Sequence, residues 1–184
     1  EMDLTGKIIV SMPSLEDERF FKTVIYMCAH SSEGSMGIII NKKIDYDLYP
    51  DLLEQLGIDK PLDKKKLFIR YGGPIESGRG FVLHSDDMIR KETLNIDKGI
   101  ALTSTSEFFD DLSLGKGPKN SILALGYAGW GPGQLEVEIM QNSWMTLSVD
   151  SSFLFDEEVS GKWVKAYKLL GVDPNNLSFH SGRA

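Results

Sequence analysis

The stretch GYAGWGPGQLE, from Gly126 to Glu136, holds four glycines and a proline around a tryptophan. Glycine has no Cβ, so a glycine-rich backbone can take positive φ and approach another group closely. The apolar run SILAL before the stretch is typical of a central strand, and QLEVEIM within and after it is typical of a helix over residues 134–141. The stretch therefore predicts a glycine-rich turn over residues 126–133, between a buried strand and a helix.

A strand, a glycine turn and a helix N-terminus together can bind a phosphate, but this turn departs from the known phosphate-binding patterns. A P-loop needs Lys and Ser or Thr after its last glycine, whereas residues 132–134 are Pro-Gly-Gln. The spacing G-x-G-x-G also differs from the dinucleotide fingerprint. Glu136 and Glu138, in the first turns of the helix, would repel a phosphate. The stretch is therefore interpreted as a crossover that holds Trp130 in place.

The composition indicates a single globular domain over residues 1–184. The chain has 41% hydrophobic and 26% charged residues, and no apolar run is long enough to span a membrane. One cysteine, Cys28, excludes an intrachain disulfide and suits the reducing cytoplasm, where we expect the protein. The net charge of −7 disfavours attraction to nucleic acids and to anionic membranes.

Hydrophobic periodicity predicts strands and helices without strict alternation along the chain. Strands are expected at 7–12, 23–30, 37–42, 67–71, 79–85, 93–96, 99–103, 121–126 and 145–149. A first helix is expected from Asp47 to Gly57, with Leu48, Leu52, Leu53 and Leu56 on one face. A second is expected after a capping box at Ser104 and Glu107, and a third over 134–141. The last is expected around Val159, Trp163, Tyr167 and Leu170 and ends at Gly171. The pattern favours an α+β fold, a mixed sheet with helices packed on it, over a doubly wound parallel sheet.

Two strand pairings follow from the positions of the turn residues. Strand 23–30 is expected to form a hairpin with 37–42 through the turn SSEGSMG, and strand 67–71 is expected to pair with 79–85. The polar segment 58–66 is the best linker candidate. A smaller lobe within about 44–66 or 86–120 is the alternative to one uniform domain.

Cys28 is the candidate nucleophile or redox-sensitive thiol. His30 stands two residues further along a predicted strand, so both side chains are expected on one face, roughly 7 Å apart. A reactive thiol needs a lowered pKa, which His30, His84, Lys42 or Arg79 could provide. The alternative is a buried cysteine that acts as a small hydrophobic residue. No H-x3-H or C-x2-C spacing indicates a metal site, and no cofactor is expected.

Two other patterns that resemble functional sites are interpreted as structural. His84, Ser85 and Asp86 contain the letters of a catalytic triad, but adjacent residues of a strand point to opposite faces. His84 is therefore expected to make structural hydrogen bonds, for example to a backbone carbonyl. The lysines at 64–66 follow Asp63 in a polar turn, which does not indicate nucleic-acid binding.

The order and spacing of seven segments resemble the YqgE/AlgH family of bacterial proteins, from about Gly6 to Leu177. These segments are SMPSLED (11–17), VIYMCAH (24–30), GSMGIIINK (34–42), YGGPIESGRGFVLHS (71–85), LALGYAGWGPGQLEVEI (123–139), NSW (142–144) and KLLGVDPNNLS (168–178). One departure is Glu18-Arg19, where relatives often carry a proline, and it affects only a local turn. The resemblance implies a bifurcated mixed sheet curled into a pseudo-barrel with flanking helices, and an intracellular bacterial protein.

The resemblance implies no particular activity, although some members of the family are labelled transcriptional regulators. Direct DNA binding is disfavoured, because the chain is acidic and shows no basic recognition helix. We therefore expect a non-enzymatic cytosolic regulatory protein that binds a protein or a small molecule. The alternative is a thiol-dependent enzyme or redox sensor that uses Cys28. The candidate cleft, formed where the glycine-rich turns converge, comprises Asn41, Gly72, Gly73, Arg79, His84, Trp130 and Gln134.

Overall fold

The computed structural model describes residues 2–44 and 69–177, together with Asp51 and Glu54. The strands in these ranges are β1 (Ile8–Ser11), β2 (Val24–Ser31), β3 (Gly34–Ile39), β4 (Ile69–Tyr71), β5 (Ile75–Ser85), β6 (Leu94–Asp97), β7 (Ile100–Thr103), β8 (Ser121–Trp130) and β9 (Trp144–Leu147). The helices are α1 (Ser106–Ser113), α2 (Gln134–Met140), α3 (Ser151–Phe155), α4 (Lys162–Leu170) and α5 (Pro174–Leu177), and a 3-10 helix covers Glu18–Phe20. The predicted helix from Asp47 and the predicted linker 58–66 lie outside the described residues, apart from Asp51 and Glu54.

The strands form one mixed sheet with the order β6-β7-β5-β8-β3-β2-β1-β9, and β4 also pairs with β8. Within the described ranges every pairing is antiparallel except the parallel pair of β4 and β8. The α+β class and the mixed sheet predicted from the sequence are confirmed. The segment 86–120 carries β6, β7 and α1, and β7 pairs directly with β5.

The sheet divides along β8. Its first half pairs with β4 on one edge and with β5 on the other, and its second half pairs with β3. The prediction that 67–71 pairs with 79–85 is therefore wrong, because β8 lies between β4 and β5. The prediction that the strand ends at Gly126 is wrong as well: β8 runs on to Trp130, which leaves residues 131–133 as the turn.

The division occurs at Gly126. Ile75 pairs with Tyr127, and the next pair is Gly80 with Leu125. Between these pairs β5 has four residues, whereas β8 has only Gly126. Gly126 has a φ of +74°, and a Cβ at this position would run into the backbone oxygen of Gly73. A β-bulge of this kind bends the strand and redirects its side chains. The chain therefore needs a glycine here to combine positive φ with backbone contact.

The β2–β3 hairpin is confirmed, but its turn is shorter than SSEGSMG suggests. Ser31 pairs with Gly34, so only residues 32 and 33 lie in the turn and β3 begins at Gly34. A short turn of this kind keeps the two strands paired to their ends. The paired part of the hairpin is therefore longer than the sequence predicts.

Helix α4 packs against the sheet through the residues that its periodicity predicts. Trp163 and Tyr167 are buried, and both donate hydrogen bonds to the backbone oxygen of Ser11, at 2.9 and 2.8 Å. Gly161 precedes the helix as its N-cap, and Gly171 ends it in the left-handed region. Helix α4 is thereby fixed to β1.

Two other helices differ from the sequence predictions. The capping box before α1 does not form, because Thr105 is the N-cap and the Ser104 hydroxyl donates instead to the backbone oxygen of Gly80. Helix α3 was not predicted, although its N-cap Asp150 accepts a 3.0 Å hydrogen bond from the Phe153 amide. In the described ranges, the helices are all too short or too polar to cross a bilayer.

Lys162, the first residue of α4, is a buried cation. The residue is 2% exposed, and its ammonium group donates a hydrogen bond to the backbone oxygen of Phe153. Burial, and after it the positive charge of Arg70, lowers the pKa of Lys162 to about 8. The folded protein therefore releases the Lys162 proton at a lower pH than the unfolded chain.

We expect the stability of the protein to rise with pH relative to that of a Lys162→Met variant. Between about pH 7.5 and 9.5 the free energy of unfolding should rise by about 2 kcal/mol relative to that of the variant. The reason is that the unfolded chain still binds the proton that the folded state has released. Urea unfolding of both proteins at a series of pH values measures this difference. A difference that stays constant over the window would show that the ammonium group is not desolvated.

Candidate functional site

An open groove of about 660 Å³ lies where the tip of the β2–β3 hairpin, the bulge of β5 and the end of β8 meet. Its apolar floor includes Met36, Phe81 and Tyr127, and charged side chains stand at its rim. The Phe81 and Tyr127 rings pack edge to face, 5.7 Å apart. We call this site the hairpin groove.

The rim charges come from the bulge of β5 and from the hairpin turn. Arg79 Nη1 lies 3.5 Å from Glu76 Oε2, and Arg79 Nε donates to the Ser104 hydroxyl at 3.2 Å. The Arg79 guanidinium also lies 5.0 Å from the centre of the Phe81 ring, within the range of a cation–π contact. Glu76 has a φ of +48°, which is uncommon for a residue other than glycine. The bulge therefore holds Arg79 over the aromatic floor.

A second cavity, of about 280 Å³, adjoins the hairpin groove. The two share Ile75, Gly129 and Trp130 in their walls. Phe20 and Trp144 also line the second cavity, and with Trp130 they form an aromatic cluster with ring centres 5.6 to 6.4 Å apart. We call it the aromatic cavity.

One carboxylate of α2 holds the aromatic cluster together. Glu138 Oε1 accepts hydrogen bonds from both indole nitrogens, Trp130 at 3.2 Å and Trp144 at 3.0 Å. Glu138 Oε2 accepts from the Gln134 side chain at 2.9 Å, and Gln134 Oε1 in turn accepts from the Gly131 amide at 3.0 Å. Helix α2 thus fixes the end of β8, the turn after it and the start of β9.

An ion pair stands at the mouth of the aromatic cavity. Asp17 and Arg19 form two side-chain hydrogen bonds, of 2.7 and 3.0 Å, and both residues line the cavity. The hydrogen bonds from Arg19 lower the pKa of Asp17. Both groups are therefore charged at neutral pH, and their charges offset each other.

The structure brings some of the predicted cleft residues together. Arg79 and Trp130 line the hairpin groove, and Trp130 and Gln134 line the aromatic cavity. Gly72 and Gly73 lie beside them in backbone contact with β8, where the Gly72 amide donates to the Leu125 oxygen at 2.7 Å. The two glycines support the site without lining either space.

Asn41 and His84 lie away from the groove and make structural hydrogen bonds. The Asn41 side chain accepts from the Val24 amide at 2.8 Å and donates to the Lys22 oxygen at 2.9 Å. His84 is buried, with Nδ1 2.8 Å from the Ser85 oxygen and Nε2 2.8 Å from the Thr103 hydroxyl. Burial lowers the pKa of His84, so the ring is neutral and both of its nitrogens are occupied. The predicted bond from His84 to a backbone carbonyl is confirmed.

The prediction that Cys28 and His30 share one strand face is wrong. A register shift in β2 between Met27 and Ala29 interrupts the alternation of side chains. His30 Nδ1 lies 2.7 Å from the Ser35 hydroxyl, and its Nε2 lies 4.0 Å from Glu136. Cys28 instead packs into the hydrophobic core and is 2% exposed.

The core environment makes Cys28 a poor candidate nucleophile. Burial raises the pKa of its thiol, which favours the neutral form. The thiolate is the reactive form of cysteine, and reactive thiols lie in partly exposed, electropositive surroundings. The geometry therefore matches the alternative interpretation, a cysteine that acts as a small hydrophobic residue. Within the described ranges, no three His, Cys, Asp or Glu side chains lie together as metal ligands would.

Several lining residues were missed by the sequence interpretation. Glu33, Phe81 and Tyr127 had no local signal beyond their place in strands or turns, and the fold alone brings them together. Glu138 was interpreted only as a group that repels phosphate. Its spacing of four residues from Gln134 places both on one helix face, which is the signal that was available.

Comparisons with known proteins agree with this architecture. Residues 8–175 match the model of the AlgH-like family. A UPF0301 protein from Nitrobacter hamburgensis is 47% identical over 189 aligned residues, covering 98% of this chain and 88% of the relative. A UPF0301 protein from a Jannaschia species is 45% identical, and the alignment covers 99% of this chain and 96% of the relative.

Solved structures share the fold as well. The solution structure of the AlgH protein from Pseudomonas aeruginosa is 34% identical, with a TM-score of 0.80 over 98% of this chain and 96% of that one. The crystal structure of a protein from Corynebacterium diphtheriae is 19% identical, with a TM-score of 0.69 over 98% and 93% of the two chains, and it shows the same fold.

Proposed function

We propose that this chain, which belongs to the AlgH-like family, is a non-enzymatic regulatory protein that acts by binding a protein or a small ligand. The observation that carries the proposal is the hairpin groove, which adjoins the aromatic cavity and shares Ile75, Gly129 and Trp130 with it. Concave surfaces with aromatic floors and a few polar groups at their rims are typical of binding sites.

The groups at the site favour binding over catalysis. Arg79 is paired with Glu76, and the Glu138 carboxylate is occupied by three N–H donors. These interactions hold side chains in place, as a recognition surface requires, and among the lining residues that the structure describes they leave no paired acid and base facing the groove. Cys28 and His84 are buried elsewhere. Direct DNA binding is not proposed, since the net charge of −7 would oppose contact with phosphates.

A fragment screen by heteronuclear NMR tests the proposal. Compounds that bind should shift the backbone amide signals of residues 31–36, 75–81 and 127–131, which line the hairpin groove. Neutral aromatic compounds among them should bind an Arg79→Ala variant about fivefold more weakly, because they lose the guanidinium on which they would stack.

Arg90→Ala is the matched control for this screen. Arg90 is also an exposed arginine in an ion pair, with Asp111 at 3.2 Å, but it does not line the groove. Its removal should leave the affinities of the fragments unchanged. Fragment shifts scattered over the surface, or equal effects of the two arginine variants, would contradict the assignment of the groove as the binding site.

A further inference from the structure

We infer that the hairpin groove and the aromatic cavity together hold an extended, positively charged peptide segment of a partner protein. The inference rests on the proposed binding function and names the chemical class of the ligand. It is drawn from the two adjoining spaces, from Gly129, which lines both of them, and from the charges and aromatic surfaces of the site.

The combined site consists of two adjoining spaces. The hairpin groove of about 660 Å³ and the aromatic cavity of about 280 Å³ meet at Ile75, Gly129 and Trp130. Enclosed pockets that bury most of a ligand suit compact small molecules. An open groove beside a second, smaller cavity suits a chain that lies across both.

Gly129 lines both spaces where they adjoin, and we call it the crossing point. Its backbone has no positive φ that would require glycine, and a Cβ there would meet the end of the Ile75 side chain at 2.9 Å. The missing side chain therefore leaves room at the boundary between groove and cavity. Glycine at such a point lets the backbone of a ligand approach the protein closely.

The charges of the site favour a cationic ligand. At the hairpin groove, Glu76 and Arg79 offset each other, and Glu33 forms no ion pair with the described residues. At the aromatic cavity, Asp17 and Arg19 offset each other, and Glu138 accepts hydrogen bonds from neutral N–H donors only. Among the described residues, each end of the combined site thus has one carboxyl side chain without a cationic partner. The protein's net charge of −7 would further attract a cation.

The aromatic surfaces suit the same ligand. Phe81 and Tyr127 lie on the floor of the groove, and Phe20, Trp130 and Trp144 line the cavity. Aromatic faces attract ammonium and guanidinium groups and also bind the apolar stems of Lys and Arg side chains. A peptide with basic side chains toward both ends matches the carboxylates and the rings together.

Display selection with random linear dodecapeptides on the immobilised full chain tests the inference. Selected sequences should be enriched about twofold or more in Lys and Arg and should include at least one aromatic or aliphatic residue. A selected peptide should bind more weakly at high salt, because exposed charges are screened. Selected peptides without basic enrichment would overturn the inference.

Three substitutions locate the binding with calorimetry on a selected peptide. Glu33→Gln should weaken binding about fivefold, and Gly129→Leu, which fills the crossing point, should weaken it about twentyfold or more. Glu92→Gln, an equal charge change at an exposed site away from the groove, should alter binding less than about twofold. Unchanged affinity in both Glu33→Gln and Gly129→Leu would place the peptide elsewhere and overturn the inference.

Spermidine is the probe for a free oligoamine in place of a peptide. It carries several ammonium groups but no peptide backbone. If spermidine binds with the same sensitivity to Glu33→Gln and Gly129→Leu while peptides do not bind, the peptide inference fails and the groove remains a ligand site. If neither binds but neutral fragments still occupy the groove, the inference fails and the proposed function stands. If fragments avoid the groove as well, both fail.

Discussion

Replacing Gly126 with alanine is expected to lower the free energy of unfolding by about 3 to 4 kcal/mol, which corresponds to a fall in Tm of about 10 °C for a chain of this size. Two costs add at this residue. Alanine is strained at a φ of +74°, and its Cβ would run into the backbone oxygen of Gly73. Neither backbone can shift freely, because the β5 bulge and the β4–β8 pairing meet here. Thermal and urea unfolding of the variant measure the loss.

Gly115→Ala separates the two costs. Gly115 has nearly the same φ, +71°, but a Cβ there would have no atom within 4 Å. Its substitution should therefore cost only the conformational strain, about 1 kcal/mol. Equal losses in the two variants would mean that the contact with Gly73 relaxes at no cost, and that Gly126 is needed for its φ alone.

Replacing Glu138 with alanine is expected to cost about 3 kcal/mol. Two indole N–H groups would lose their acceptor, and each unsatisfied buried donor costs about 1 to 3 kcal/mol. Trp144 is 2% exposed and Trp130 is 6% exposed, so both donors belong to largely buried side chains. Urea unfolding measures the cost. A change in the tryptophan fluorescence of the folded variant would report any rearrangement of the cluster.

The control for Glu138 is Glu136, two residues earlier on the same helix. The Glu136 side chain is 35% exposed, and its carboxylate lies 4.0 Å from Nε2 of the His30 ring. Glu136→Ala should cost less than about 1 kcal/mol. The loss of unfolding free energy in Glu138→Gln should lie between those of the two alanine variants. The glutamine amide oxygen still accepts from one or both indole N–H groups, but the charge is lost. Similar losses for all three variants would contradict the role of Glu138.

Local patterns predicted most of the secondary structure, because burial alternates along a strand and recurs every turn of a helix. Met145 and Leu147 showed the strand period of β9, and Trp163 and Tyr167 showed the buried face of α4. Gly126 misled the interpretation, since glycine usually marks a turn. Here it is a strand residue that lets one backbone cross close to another.

The site was predicted only in part for a related reason. Arg79, Trp130 and Gln134 stand in segments with a strong local signal, and the structure places them around one continuous surface. The side chains that complete it, such as Glu33 and Phe81, meet because β8 pairs with both β3 and β5. Strand pairings of this range are set by the whole sheet, and no local pattern in a single sequence reports them.

The bonds from Trp163 and Tyr167 to Ser11 join residues more than 150 positions apart in the chain. During synthesis, β1 leaves the ribosome long before its neighbour β9 or helix α4 exists. At about 5 to 20 residues per second, this interval is roughly 10 to 30 s. For that time the strand lacks one paired edge and the helix that covers it. We expect this face of the sheet to be completed only after α4 has been synthesised, so that products truncated before α4 leave β1 open to aggregation.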